Sequence, residues 1–224
     1  MKPHFSHQRN RALTLVEVLV VIAVVVFLVG FLFSALEAAK QKALRINCLS
    51  SLKAGGCAFR LWAGDNNNQY PMELSTNRGG AREWLLEGKV FEVFRVMSNE
   101  LSTPKILWCP ADADHVAATN FSIGFSDANI SYFVSLDAAE AYPAMILYGD
   151  SNLQVNGKPV QPGILDFRTV TNIAWTKDRH NRVGNIGMAD GSVQQTTSGS
   201  LNSAIGSSTN GVPTNNAANR WLIP

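Results

Sequence analysis

Glu17 is the residue of this chain whose surroundings say most about chemistry. From Leu13 to Leu36 the only polar side chains are Thr14, Glu17 and Ser34. A charged carboxylate in a membrane helix costs about 2.5–3.5 kcal/mol at mid-depth and less near an end, so it needs either a cation or the headgroup level. A second set lies downstream, where nine residues separate His180 from Asp190-Gly191. Acid–base catalysis by such a pair requires a nucleophile, a metal or a paired acid within hydrogen-bond reach. Of the four histidines, His4 and His7 fall among the first twelve residues, and His115 with His180 makes a poor metal set. There is no Gly-x-Ser-x-Gly, His-Glu-x-x-His or phosphate loop. The expectation is a protein that is not an enzyme, with Asp190 serving a turn and His180 bonding to backbone where a loop enters it. Asp65, Asp112 and Asp114 offer oxygens of the kind calcium takes, but without the spacing of a calcium loop. Turn chemistry and solvation account for them, and no cofactor is expected.

The elements that position these residues follow from periodicity. The 24 residues from Leu13 to Leu36, as a helix, would cover about 36 Å, against about 30 Å for a bilayer core. The helix continues: Leu44, Cys48, Leu52, Gly55, Phe59 and Trp62 recur at helical spacing and mark one packing face. Gly55-Gly56 on or beside that face allows close packing or marks a bend. Gly64 to Asn68 ends the helix near Ala63, and Tyr70-Pro71 keeps it from resuming. Glu83 to Val96 is apolar-rich with interspersed charges and fits a short helix followed by a strand, though its periodicity does not settle the matter. Ile130–Val134, Ala144–Tyr148 and Asn172–Trp175 read as strands. Asp190-Gly191 reads as a hairpin turn with φ > 0 at both positions, Ile186 and Met188 sharing one face and Val193 following on the second strand. From Thr196 to Asn219 the chain is rich in Ser, Asn, Thr and Gly, which predicts a loose tail with Trp221-Leu222-Ile223 docking back.

The N-terminus excludes two common alternatives. A cleaved secretory signal has a shorter apolar region and a small-x-small cut site, and none follows this run. A lipoprotein needs a cysteine just after the apolar core, whereas the first is Cys48. Basic residues flank the run on both sides (Lys2, Arg9 and Arg11 before it, Lys40, Lys42 and Arg45 after), so charge alone does not orient it.

Leu13-Thr14-Leu15-Val16-Glu17, with a basic leader before it and an apolar helix after it, resembles the processing site of type IV prepilins and type II secretion pseudopilins. Ala12 stands where the family has Gly, and Leu13 where it usually has Phe. Asn47-Cys48, Cys109-Pro110, Ser131-Tyr132 and the His180 to Asp190-Gly191 spacing further resemble a planctomycete and verrucomicrobial group of prepilin-like proteins with a His-x9-Asp-Gly motif. The resemblance implies cleavage between Ala12 and Leu13 by a membrane aspartyl prepilin peptidase, methylation of the new amine, and pairing of Glu17 with a neighbouring subunit's amine. It implies partners in other pilin or pseudopilin subunits and an inner-membrane assembly platform. The head would be periplasmic, on a single-pass inner-membrane protein, in a secretion pseudopilus or a type IV-like pilus. The alternative is a membrane-anchored head that binds a ligand such as polysaccharide without polymerising.

The expected layout is α+β and pilin-like: a leader at 1–12, a transmembrane helical half at 13–36, an amphipathic half at 37–63, a head at 64–195 around a small antiparallel sheet, and a tail at 196–224. The chain carries 19 basic and 17 acidic residues, three of the basic ones in the leader, so the mature chain has one excess acid. Such a balance gives no case for nucleic acid. Among three cysteines, Cys48 lies on the packing face and Cys109 precedes a proline-bounded turn, making them the candidate disulfide, with Cys57 pointing away and free. Three reduced cysteines is the other arrangement.

Overall fold

An apolar run without proline continues into a face of helical period, and both lie on a single helix. In the computed structural model, which describes residues 14–170, 172–208 and 219–224, α1 spans Leu15–Asp65. The chain divides into two units, 1–42 and 43–224. In the first, every residue from Thr14 to Lys42 whose side chain is described is exposed, including Leu19, Val20, Phe27 and Phe31. Length and composition suffice for this helix to cross a membrane, and the exposed apolar surface is consistent with membrane anchoring.

In the second unit the α1 residues from Ala43 onward bury the face that the spacing predicts. Cys48, Leu52, Phe59, Trp62 and Ala63 have at most 5% exposure. The helix ends two residues later than expected. Asn67 and Asn68 adopt left-handed backbone at φ 57, Asn68 N donates to Ala63 O at 2.8 Å, and Asn66 Nδ2 donates to Trp62 O at 2.8 Å. These bonds satisfy carbonyls that a helix end leaves open.

Glu83 to Val96 forms two helices rather than a helix and a strand. α2 is Arg82–Leu86 and α3 is Val90–Val96, followed by α4 at Ser98–Leu101. Val90, Val93, Phe94 and Met97 are buried at spacings of 3, 1 and 3, which is helical. The apolar run Val90 to Phe94 with one charge inside it is too short for its period to separate helix from strand.

The strands are β1 Tyr132–Ser135, β2 Ile146–Asp150, β3 Leu153–Val155, β4 Lys158–Pro159, β5 Gly163–Asp166, β6 Ile173–Trp175, β7 Val183–Met188 and β8 Val193–Thr197. Helix α5, Ser198–Ser208, and β9, Arg220–Ile223, follow. One sheet has the order β5-β9-β1-β2-β7-β8 and a smaller one β4-β3-β6, with antiparallel pairings throughout. Side chains alternate across the larger sheet, as the pleat requires. Tyr132, Val134 and Leu222 face the core built on α1 to α4. Phe133, Trp221 and Ile223 face a second core with Trp175, Ile186, Met188 and Leu201. Phe133 and Trp221 stack there with centroids 3.9 Å apart. This is the α+β pilin-like layout expected, a long N-terminal helix followed by an antiparallel sheet head.

The expected loose tail at 196–224 is corrected in part: Trp221-Leu222-Ile223 dock back as expected, residues 209–218 lie outside the described residues, and the remainder is ordered structure. Thr196 and Thr197 belong to β8, α5 buries Leu201, and β9 lies between β5 and β1 with Trp221 and Leu222 fully buried. A polar average concealed a few well-placed apolar residues, and burial depends on position rather than mean composition. The head thus runs past residue 195.

Candidate functional site

Two places gather the residues that carry chemistry. The first is the start of α1. Thr14 is its N-cap: Glu17 N donates to Thr14 Oγ1 at 3.3 Å, and Thr14 N and Oγ1 donate to Glu17 Oε2 at 2.8 and 2.9 Å. That reciprocal pattern is a capping box, which satisfies helix N–H groups that otherwise lack partners. Thr-x-x-Glu before an apolar run is its sequence signature, which gives Glu17 a local capping role besides its charge. Ala12 and Leu13, the expected cleavage residues, lie outside the described residues, as does the 1–12 leader.

The second place is in the head, around the ends of β7. Cys48 and Cys109 form a disulfide with Cα atoms 5.4 Å apart, and Cys57 is exposed and unbonded to them. His180 Nε2 lies 3.3 Å from Cys109 Sγ, so its ring rests on the disulfide rather than on backbone as expected. Cys109 N donates to Ser131 Oγ at 3.0 Å. Four of the residues that carried the resemblance therefore meet at one point, Cys48, Cys109, Ser131 and His180.

His180 is placed by its own backbone. His180, Asn181 and Arg182 have φ of 47, 54 and 64, three consecutive left-handed residues without a glycine. Such a turn costs energy at each residue and persists only when its surroundings fix it. Arg45 Nη2 on α1 supplies one restraint by donating to His180 O at 2.9 Å. At the other end of β7, Arg60 Nη1 donates to Asp190 O at 2.5 Å, and Tyr70 Oη donates to Ala189 O at 2.6 Å. The strand separates His180 from Asp190, which precludes an acid–base pair and gives the nine-residue spacing a structural meaning. It is the length of β7 with its flanking turns, held to α1 at both ends.

Asp190 serves the turn as expected, with its Oδ1 accepting from Ser192 N at 2.8 Å. Only Gly191, at φ 83, is left-handed, so the expectation of two positive φ values is corrected. Gly191 N donates to Met188 O at 2.9 Å and Met188 N to Ser192 O at 2.8 Å. This is a three-residue hairpin loop whose glycine takes the bulge position.

Asp112 is buried, contrary to the expectation of a solvated loop acid or a calcium ligand. Its Oδ2 lies 2.6 Å from Arg179 Nη2 and 2.8 Å from His115 Nδ1, and its Oδ1 accepts from Asp114 N at 3.0 Å. Arg179 Nη1 also donates to Ser131 O and Ser151 Oγ at 3.0 and 3.1 Å. With its oxygens so occupied, Asp112 has little left for a cation. Burial pushes its carboxyl up, but the His115 hydrogen bond and the Arg179 charge outweigh that and hold it at about 2. Asp65 closes α1, away from the Asp112 cluster in sequence and element.

Another buried acid is Asp150, whose Oδ2 accepts from Asn185 N at 2.7 Å and from Asn185 Nδ2 at 2.9 Å. Burial raises it to about 6 against these bonds and the Arg179 charge. Burial lowers His180 to about 4, helped by the Arg45 and Arg179 charges, so the ring is neutral at pH 7. A neutral ring facing a disulfide sulfur has no proton to take from it. Sequence alone signalled neither Arg179–Asp112 nor Asp150–Asn185, because each pair joins distant segments.

Comparison with known proteins places one part of the chain. Residues 7–33 match the family model described as the prokaryotic N-terminal methylation motif, a prepilin-like motif. No curated protein and no solved structure matches the chain. The matched span includes Ala12, Leu13, Thr14 and Glu17 and opens α1, which continues to Asp65 ahead of the antiparallel sheets.

Proposed function

We propose that this chain is a structural prepilin-like subunit of the group with a His-x9-Asp-Gly motif. A membrane prepilin peptidase cuts between Ala12 and Leu13 and methylates the Leu13 amine. The helix then packs with those of other pilin or pseudopilin subunits, delivered by an inner-membrane platform, into a type II secretion pseudopilus or a type IV-like pilus. The methylation-motif match at residues 7–33 carries this reading. The exposed apolar surface of α1 up to Lys42 supports it, since in a filament core neighbouring helices would cover what this chain leaves bare. Glu17 offers a carboxylate at the start of that helix, where a neighbour's amine would neutralise it. The work of the head is packing rather than catalysis, its motif residues fixing β7 and the disulfide to α1, with no cofactor required.

N-terminal mass spectrometry of the native protein should find a methylated Leu13. Glu17→Ala should lose co-purifying pilin subunits, and recovery of partners at the wild-type level would sink the assembly role. One observation favours a ligand-binding head as a second reading. A cleft of about 390 Å³ is lined by Ser151, Asn152, Thr176 and Arg179 among others, and the buried Asn152 amide has no protein partner there.

A further inference from the structure

We infer that Cys48, Cys109 and His180 form a latent site for one thiophilic divalent cation of the zinc type, open when the disulfide is reduced. The three ligand atoms lie within 4.8 Å of one another, and all three residues are buried. In a tetrahedral zinc site, Zn–S near 2.3 Å and Zn–N near 2.0–2.1 Å put sulfur and nitrogen about 3.5 Å apart. His180 Nε2 is 3.3 Å from Cys109 Sγ, so the imidazole already stands where a ligand would. Two thiolates in such a site stand about 3.8 Å apart, and Cα atoms 5.4 Å apart allow that by side-chain rotation.

The surroundings hold the set together without the disulfide. Ser131 Oγ accepts from Cys109 N, Arg45 holds the His180 carbonyl, and the left-handed turn aims the ring. His180 Nδ1 is buried without a protein partner, and it would carry the ring proton when Nε2 binds the metal. Two thiolates and a neutral imidazole carry two negative charges, which a divalent cation cancels. Disulfide sulfurs are poor ligands and thiolates good ones, so the bridge and the metal are alternative states of the same residues. A dithiol reductant supplies two electrons and two protons, leaves as its own disulfide and yields two thiols. Metal binding then releases both thiol protons. Water fills the fourth position.

The test uses the full chain in detergent, in a Cys57→Ser background, reduced with a phosphine and titrated with Co²⁺ and then Zn²⁺. Reduced protein should take up one equivalent of cobalt with thiolate charge-transfer absorption, and oxidised protein none. X-ray absorption of the zinc form should show two sulfurs and one imidazole. His180→Ala should weaken binding by more than about tenfold. The assignment is overturned if the reduced protein binds no cobalt, if the zinc shell lacks imidazole, or if a folded His180→Ala binds as wild type. Should that variant not fold, the zinc shell of the His180-containing protein decides.

Discussion

At the scale of single residues, His180 and Asp150 share a cause and oppose each other in effect. Burial lowers His180 from 6.5 to about 4 and raises Asp150 from 3.8 to about 6. For His180 the unfolded chain binds more protons between those limits, so its contribution is lost as pH falls from about 6.5 to about 4. For Asp150 the folded chain binds more, so stability is lost as pH rises from about 4 to about 6. Between pH 7 and pH 5 the two largely cancel. Wild-type stability should change there by less than about 1 kcal/mol from these groups, whereas Asp150→Asn should lose about 2 kcal/mol on acidification. Urea denaturation at both pH values measures this, and parallel profiles for the two proteins would refute it.

At the scale of elements, the contact between α1 and the sheet depends on small residues. A Cβ on Gly55 would stand 3.3 Å from the buried Tyr148 ring, and one on Gly56 3.1 Å from Tyr148 Oη. Tyr148 Oη donates to Leu52 O on the same helix. The glycine pair therefore serves close packing, and α1 continues through it. Gly55→Leu should cost about 1–3 kcal/mol through overpacking. Gly64→Ala, with nothing within 4 Å, should be neutral or gain up to about 1 kcal/mol. Thermal melts of both would show it, and equal midpoints would discount the packing argument. The helical face was legible because Leu44 to Trp62 repeat a period that no strand shares. α3 was misread because Val90 to Phe94 is too short to show its period. The capping box was legible in Thr14 and Glu17 yet hidden behind the cost of the acid. The buried Asp112 and Asp150 could not be found in sequence, since what buries and pairs them comes from segments far along the chain.

At the scale of the whole molecule, the last strand in chain order holds the large sheet together. β9 pairs β5 through Ile164↔Leu222 and β1 through Val134↔Leu222, and Arg220 Nη2 lies 2.5 Å from Asp137 Oδ1 beside β1. Deleting Asn219–Pro224 should therefore separate β5 from the other strands and expose Phe133. The expected result is loss of cooperative unfolding and rapid proteolysis of the head, and a truncated head as protease-resistant as wild type would contradict it. The same strand order sets a timetable for biogenesis. Cys48 and Cys109 emerge well before β9, so the covalent tie between helix and head can form while the sheet is incomplete. Until β9 arrives, the edge of β1 is an open template for pairing with other chains. Nascent copies held apart until β9 has closed that edge would escape such mispairing.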